Sequence, residues 1–360
     1  MIPLARLNVV AGHNGSGKSS LYRALRLLSD IAQGRAVAAL ASEGGLQSAL
    51  WAGTETCSTR TRHDAISLRL GFATEDFSYA VDFGLPTPSG SAFTHDPEIK
   101  RECIWNGERF RPASLLIDRR NSFVRIRRPD GKWQPLAHQL ATFDSVMTHC
   151  ADVVTAPECL LLREKIRGWR FYEHFRADIK SPARLPQVGS RAPVLADGGA
   201  NLASAVQTII EIGDRTAFAE AIADAFAGAT VSVRHEKGRF ELEMHQKPVL
   251  RPLSTAELSD GTLRYLLLAT ALHTPRPPSI FVINEPETSL HPDLLPALGR
   301  LIVSIAARTQ VLVITHSARL AASLEEAPDC RSFVLEKQLG ETSILGGMST
   351  PVCNWQWPTR

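Results

Sequence analysis

Residues 7–11 (Leu7, Asn8, Val9, Val10, Ala11) form an apolar run that stops at a glycine-rich turn; apolar residues then return as Leu21, Leu25, Leu28 and Ala32, three or four apart. This pattern predicts a buried strand, a tight loop and an amphipathic helix. Residues 34–53, rich in Ala, Gly and Ser, predict a loop or short helix. Apolar and polar positions alternate at 65–72 and at 77–83, predicting an antiparallel hairpin, and 123–135 predicts another that turns at Pro129, Asp130 and Gly131. Helical spacing dominates 136–175, a Pro- and Gly-punctuated connection covers 181–199, and 201–227 returns to helix. A further hairpin is expected at 230–244, turning at 236–238. Beyond it a helix (263–273), a buried strand (279–284), a helix (292–307) and a buried strand (311–315) alternate, which implies a parallel sheet covered on both faces. The fold class is therefore α/β, with an antiparallel β subdomain and an inserted helical lobe. Residues 1–135 and 228–360 are expected to be two parts of one lobe and 136–227 the helical lobe. With neither an internal repeat nor a sustained heptad pattern, a long coiled-coil arm is excluded.

The 360 residues, 44% hydrophobic and 21% charged, are an ordinary globular balance. No apolar run approaches the roughly 20 residues that span a bilayer, and no signal-peptide pattern opens the chain, so a soluble, cytoplasmic protein is expected. Cys57, Cys103, Cys150, Cys159, Cys330 and Cys353 show neither zinc-site nor disulfide-framework spacing, which predicts reduced, mostly buried thiols. The net charge of +3 is small, but basic residues concentrate at 119–132 and 163–191, the second interleaved with Trp169, Phe171, Tyr172 and Phe175. Such segments suit either a nucleic-acid backbone or, for aromatics at this spacing, a packed core.

Chemistry begins at Gly12, His13, Asn14, Gly15, Ser16, Gly17, Lys18 and Ser19, which fit G-x-x-x-x-G-K-[ST], the phosphate-binding P-loop. Asn14, Gly15, Ser16, Gly17, Lys18, Ser19 and Ser20 are the candidate nucleotide contacts. Backbone N–H groups surround the phosphates, Lys18 supplies a point charge, and the Ser19 hydroxyl can ligate Mg²⁺. The run from Ser279 to Asn284 then ends in Glu285, Pro286 and Glu287, an apolar strand with an acidic tip. A carboxylate at that tip can orient the attacking water and accept its proton, which makes Glu285 the candidate general base. Asn284 stands where an aspartate usually helps to hold Mg²⁺ and brings no charge. Ser259 and Gly261 lie at the start of the helix at 263–273, and His316 follows the last buried strand, where an imidazole can donate to a γ-phosphate.

Together, GHNGSGKS, LSDGT, FVINEPETSLHP and ITHS resemble the Walker A, signature, Walker B with D-loop, and switch histidine of the ABC ATPase superfamily. The similarity is greatest to its RecF/SMC-like branch and the compact bacterial AAA family ATPases; residues 7–30 and 200–345 carry it. It implies a P-loop NTPase of ABC type that uses ATP and Mg²⁺, with Lys18, Glu285 and His316 catalytic and Ser19 and Asn284 at the metal. It also implies a homodimer or ATP-dependent oligomer in which Ser259 and Gly261 of one subunit touch the γ-phosphate held by Lys18 and Ser19 of the other. Gln134 and Gln139 stand as candidates for the family's Q-loop glutamine. The chain starts almost at the P-loop strand, whereas such heads usually have further β-structure before it. The expected function is an ATP-hydrolysing dimerisation switch in DNA repair, DNA handling or anti-phage defence. DNA and a separately encoded effector such as a nuclease are its candidate partners. A non-hydrolysing ATP-dependent scaffold and the nucleotide-binding subunit of a transporter are the alternatives.

Overall fold

The three buried apolar runs become neighbouring strands of one sheet in the computed structural model, which describes residues 2–50, 67–88, 90–338, 340–345 and 357–358. In chain order, strand β1 (Leu7–Gly12) leads to helix α1 (Lys18–Ala32) and the short helices α2 (Ala36–Ser42) and α3 (Leu46–Ala49). Six strands follow: β2 (Leu68–Phe72), β3 (Phe77–Gly84), β4 (Glu98–Asn106), β5 (Leu115–Arg120), β6 (Phe123–Arg127) and β7 (Trp133–Pro135). Helices α4 (Val146–His149) and α5 (Pro157–Arg167), strands β8 (Arg170–Tyr172) and β9 (Gln187–Val188), and helices α6 (Leu202–Ile212) and α7 (Arg215–Ala225) come next. Strands β10 (Thr230–Glu236), β11 (Arg239–His245) and β12 (Leu253–Ser254) precede α8 (Asp260–Leu272), β13 (Ile280–Asn284), α9 (Leu295–Ala306), β14 (Gln310–Ile314), α10 (Ala318–Glu325), β15 (Cys330–Gln338) and β16 (Glu341–Ile344). Ala65, Ile66, Cys57, Cys353 and residues 51–53, named above, lie outside the described residues.

The chain divides into two compact units. One comprises residues 3–14 and 169–335 and contains a parallel sheet ordered β15-β1-β14-β13-β8. Because these strands run the same way, the C-terminal ends of β1, β14, β13 and β8 share one edge, which is where open parallel sheets bind ligands. The register is tight: Val10 and Asn284 both pair with Ile314, and Ile283 pairs with Tyr172. Val9, Phe281, Ile283, Val311 and Val313 pack with Leu263, Leu266 and Leu267 of α8 and with Leu298 and Ile302 of α9 in one core. All ten residues from Leu263 to Leu272 are buried, so α8 is a central helix rather than an amphipathic surface one. An antiparallel sheet, β10-β11-β12 with β9 on β11, belongs to the same unit.

The other unit, 15–168 with the chain ends 1–2 and 336–360, holds α1 to α5 and an antiparallel sheet ordered β2-β3-β4-β5-β6-β7. Its interior carries a fully buried ion pair, Glu102–Arg119 at 3.1 Å. Such a pair survives burial only if its remaining hydrogen-bonding capacity is met. Tyr79 Oη, Ser145 Oγ and the Val146 N–H donate to Glu102, while Arg119 donates to the carbonyls of Asn121, Ala141 and Asp144. That network explains why the helical spacing across 136–145 gives no helix: the arginine takes two carbonyls of this stretch. The aromatic segment at 169–175 likewise differs from its helical reading. Phe171 and Tyr172 lie in β8, and Tyr172 and Phe175 are buried beside Phe281.

Much of the basic excess is spent internally. Arg125 pairs with Asp118 at 2.7 Å and lies over the Trp133 ring, Lys165 reaches Asp76, Arg176 pairs with Asp178, and Arg184 is buried. Cys103, Cys150 and Cys159 are buried free thiols, and burial pushes Cys103 up to about 12 and Cys150 to about 11. Among the described residues no helix is long and apolar enough to cross a membrane.

Candidate nucleotide site

The candidate P-loop leaves β1 where the apolar residues end. Gly15 (φ 79°) and Gly17 (φ 105°) adopt left-handed backbone, and at Gly17 a β-carbon would also lie 2.3 Å from Thr342 Oγ1, so glycine is required twice over. Helix α1 begins at Lys18 with no side chain capping its first turn. Ser16 Oγ is buried without a hydrogen-bond partner, Lys18 is 6% exposed, and Asn14, Gly15, Ser19 and Ser20 face solvent. A buried unpaired hydroxyl beside uncapped helix N–H groups fits a phosphate chain. Among the described residues no three His, Cys, Asp or Glu side chains are grouped to hold a metal by themselves, so an ion here would share its coordination with phosphate oxygens.

On the parallel-sheet edge, Glu285, Glu287 and His316 converge. The Glu285 N–H donates to the Ile314 carbonyl at 2.7 Å, and its φ of 48° puts a non-glycine residue in a costly conformation of the kind that collects at functional sites. Its side chain is half-exposed. Glu287 is buried and Oε1 accepts from Thr315 Oγ1 (2.6 Å), the His316 N–H (3.1 Å) and the Ser317 N–H (3.2 Å). His316 Nδ1 lies 3.5 Å from Glu287 Oε1 and 3.7 Å from Glu285 Oε1. Arg264, buried on α8, has its pKa lowered by burial, opposed by the charges of Glu287 and Glu285. The two acids thus share a nearby cation while only Glu285 opens to solvent.

A model of the family described as "AAA domain, putative AbiEii toxin, Type IV TA system" matches residues 7–322. The chain belongs to this AAA-domain family. No curated protein matches it in sequence. Among solved structures it is similar to an SMC head bound to the C-terminal winged-helix domain of ScpA, at 14% identity and TM-score 0.51, covering 96% of this chain and 91% of that one. An SMC head with an extended coiled coil from Pyrococcus furiosus (14% identity, TM-score 0.48) and one from Thermotoga maritima (13%, 0.42) align over the same shares of the two chains. The family is thus that of an AAA domain, and the fold is the one seen in an SMC head.

In this AAA-domain chain the candidate signature residues Ser259 and Gly261 sit at the N-terminus of α8. Ser259 is exposed and caps the helix, accepting from the Thr262 N–H at 3.2 Å, and a β-carbon at Gly261 would lie 3.2 Å from the Ser289 carbonyl oxygen. Arg184 holds the preceding loop, donating to the carbonyls of Thr255 (2.9 Å), Ala256 (3.2 Å) and Leu258 (2.8 Å) and to Asp260 Oδ1 (2.7 Å). Asn284, 6% exposed at the end of β13, donates from Nδ2 to Glu173 Oε1 at 3.0 Å. Gln134 lies in β7 and Gln139 four residues beyond its end, both in the unit that contains residues 15–168. Sequence reasoning missed Glu173, Arg184 and Arg264. A parallel-strand reading of 170–172 would have flagged Glu173 as a strand-tip carboxylate; nothing local marks the two arginines.

Proposed function

We propose that this protein is an ATP-hydrolysing switch. The observation that carries this is the convergence of Glu285, Glu287 and His316 on the same sheet edge that delivers the P-loop from β1. Asn14 to Ser20 would bind the triphosphate, with Lys18 neutralising its outer oxygens and Ser19 contributing to Mg²⁺. When bound, Mg²⁺ offsets charge on the β- and γ-phosphates. Glu285 orients the water and takes its proton, and the exposed imidazole of His316 donates to the γ-phosphate. Glu287 holds the backbone that presents His316. Exposed Ser259 and half-buried Gly261, at the positive end of α8, complete the pocket of a second subunit, so that ATP closes a dimer and hydrolysis opens it.

The switch is read as acting with a separately encoded effector in DNA repair, DNA handling or defence. The family's description, which names a toxin of a type IV toxin–antitoxin system, favours defence among these. One observation favours a second reading: Asn284 brings no charge to the tip of β13, as expected of a scaffold that holds ATP without turning it over.

Mg²⁺-dependent phosphate release separates the two. Wild type should exceed Glu285→Gln by about 10²–10⁴-fold, the usual contribution of a general base. Equal rates would sink the enzyme reading and leave the scaffold. DNA binding that is salt-dependent and appears only with ATP supports genome handling; its absence on all DNA forms points to a protein partner.

A further inference from the structure

We propose that Glu173 carries the negative charge that Asn284 lacks: the carboxylate turned toward the divalent ion comes from the end of β8, and the Asn284 amide holds it in place. This rests on the reading that ATP binds with Mg²⁺ at this edge. The register is the first observation. Ile283 pairs with Tyr172 in parallel strands, which sets the following residues, Asn284 and Glu173, side by side where both chains leave the sheet. The second is the hydrogen bond. A carboxylate only accepts, so the buried amide must turn its N–H₂ toward Glu173 Oε1, at 3.0 Å, which fixes the orientation of both groups. The third is charge. Among the described residues Glu173 forms no ion pair, although its side chain is exposed on a chain rich in arginine. A carboxylate with no ion-pair partner among the described residues, fixed at the ligand-binding edge of a parallel sheet, suits a hard cation that takes oxygen ligands, directly or through a water. The amide and the carboxylate have in effect exchanged strands, and Asn284 need not signal a dead site.

A purely structural role for Glu173, satisfying the buried amide, predicts something different. Glu173→Gln keeps an oxygen acceptor for Asn284 Nδ2 and removes only the charge. The test is a Mn²⁺ titration of the ATP-loaded protein followed by electron paramagnetic resonance, with binding of ATP in excess chelator measured in parallel. Glu173→Gln should raise the Mn²⁺ half-saturation about tenfold or more, within the 10–100-fold range seen when metal-site partners are removed, while metal-free ATP binding stays at least as tight. The double variant Glu173→Gln/Asn284→Asp, which returns the charge to β13, should recover the half-saturation to within about threefold of wild type. A Glu173→Gln protein that binds ATP and has a Mn²⁺ half-saturation within twofold of wild type overturns the proposal and leaves the nucleotide reading intact. Wild type that binds no ATP with or without metal overturns both.

Discussion

Glu285 and Glu287 stand two residues apart in one acidic run and have opposite jobs. Glu287 is buried and collects one hydroxyl and two backbone N–H donors from residues 315–317, so it fixes the backbone at the end of β14. Glu285 stands half-exposed on a left-handed backbone, where its carboxylate can meet solvent and substrate. Glu287→Ala strands the Thr315 hydroxyl and the His316 N–H, while the Ser317 N–H keeps Thr315 Oγ1 as an acceptor at 2.9 Å; at about 1–3 kcal/mol for each buried group left unpaired, it should lower the unfolding free energy by about 2 kcal/mol or more. Glu285→Gln should change stability by less than about 0.5 kcal/mol while removing hydrolysis. Urea denaturation of the two variants beside phosphate release checks the pair, and a stable Glu287→Ala protein would contradict the anchoring role. The sequence identified this strand tip and chose Glu285 as its base. Which acid faces inward was not legible, because burial here depends on the turn after β13 and on β14, whose donors come 28 to 30 residues later.

At the level of elements, α8 was legible as a helix, and its preceding Leu-Ser-Asp-Gly as a cap, from spacing alone. What holds that cap was not. Arg184 reaches it from 74 residues earlier, and a single guanidinium serves three of the loop's carbonyls and Asp260, a contact no periodicity announces. Lysine cannot reproduce a planar fork. Arg184→Lys should therefore speed amide exchange at 255–262 and cost about 2–3 kcal/mol of stability, while exchange in β13 and β14 is little changed. Uniform loosening of the unit would argue against a local clamp. The far end of α8 carries a pH term. His273 is buried against Phe218, and its pKa is lowered, chiefly by desolvation. Above its ordinary value near 6.5 both folded and unfolded states are neutral and the group contributes nothing. As pH falls below that value the unfolded chain takes up a proton that the folded one resists, so stability declines. Melting temperature should drop from about pH 6.5 downward, and His273→Gln should flatten that part of the curve; an unchanged slope would remove His273 as its source.

For the molecule as a whole, alternating apolar strands and helices announced a covered parallel sheet, but not its order, because pairing brings residues 7–12, 170–172, 280–284, 310–314 and 330–338 together from across the chain. In the six-stranded antiparallel sheet the outer hairpins were legible, but its middle strands β4 and β5 were not, nor was the ion pair they carry, since Glu102 and Arg119 are ordinary surface residues in any one-dimensional reading. Assembly is the scale at which the proposed function is most exposed to test. If Ser259 meets the γ-phosphate of another subunit, its chemistry should be separable from the folding of its own. Ser259→Asp provides that separation: aspartate caps a helix about as well as serine, so α8 should keep its N-terminus and the melting temperature should stay close to wild type. The added carboxylate would face the γ-phosphate across the subunit boundary and repel it. In a Glu285→Gln background, where hydrolysis cannot reopen the dimer, light scattering with ATP and Mg²⁺ should give a dimer, and adding Ser259→Asp should return it to monomer with nucleotide affinity within about threefold. If Ser259→Asp instead weakens ATP binding by the monomer as much as it weakens dimerisation, the serine acts on its own subunit's nucleotide and the shared-site arrangement is wrong.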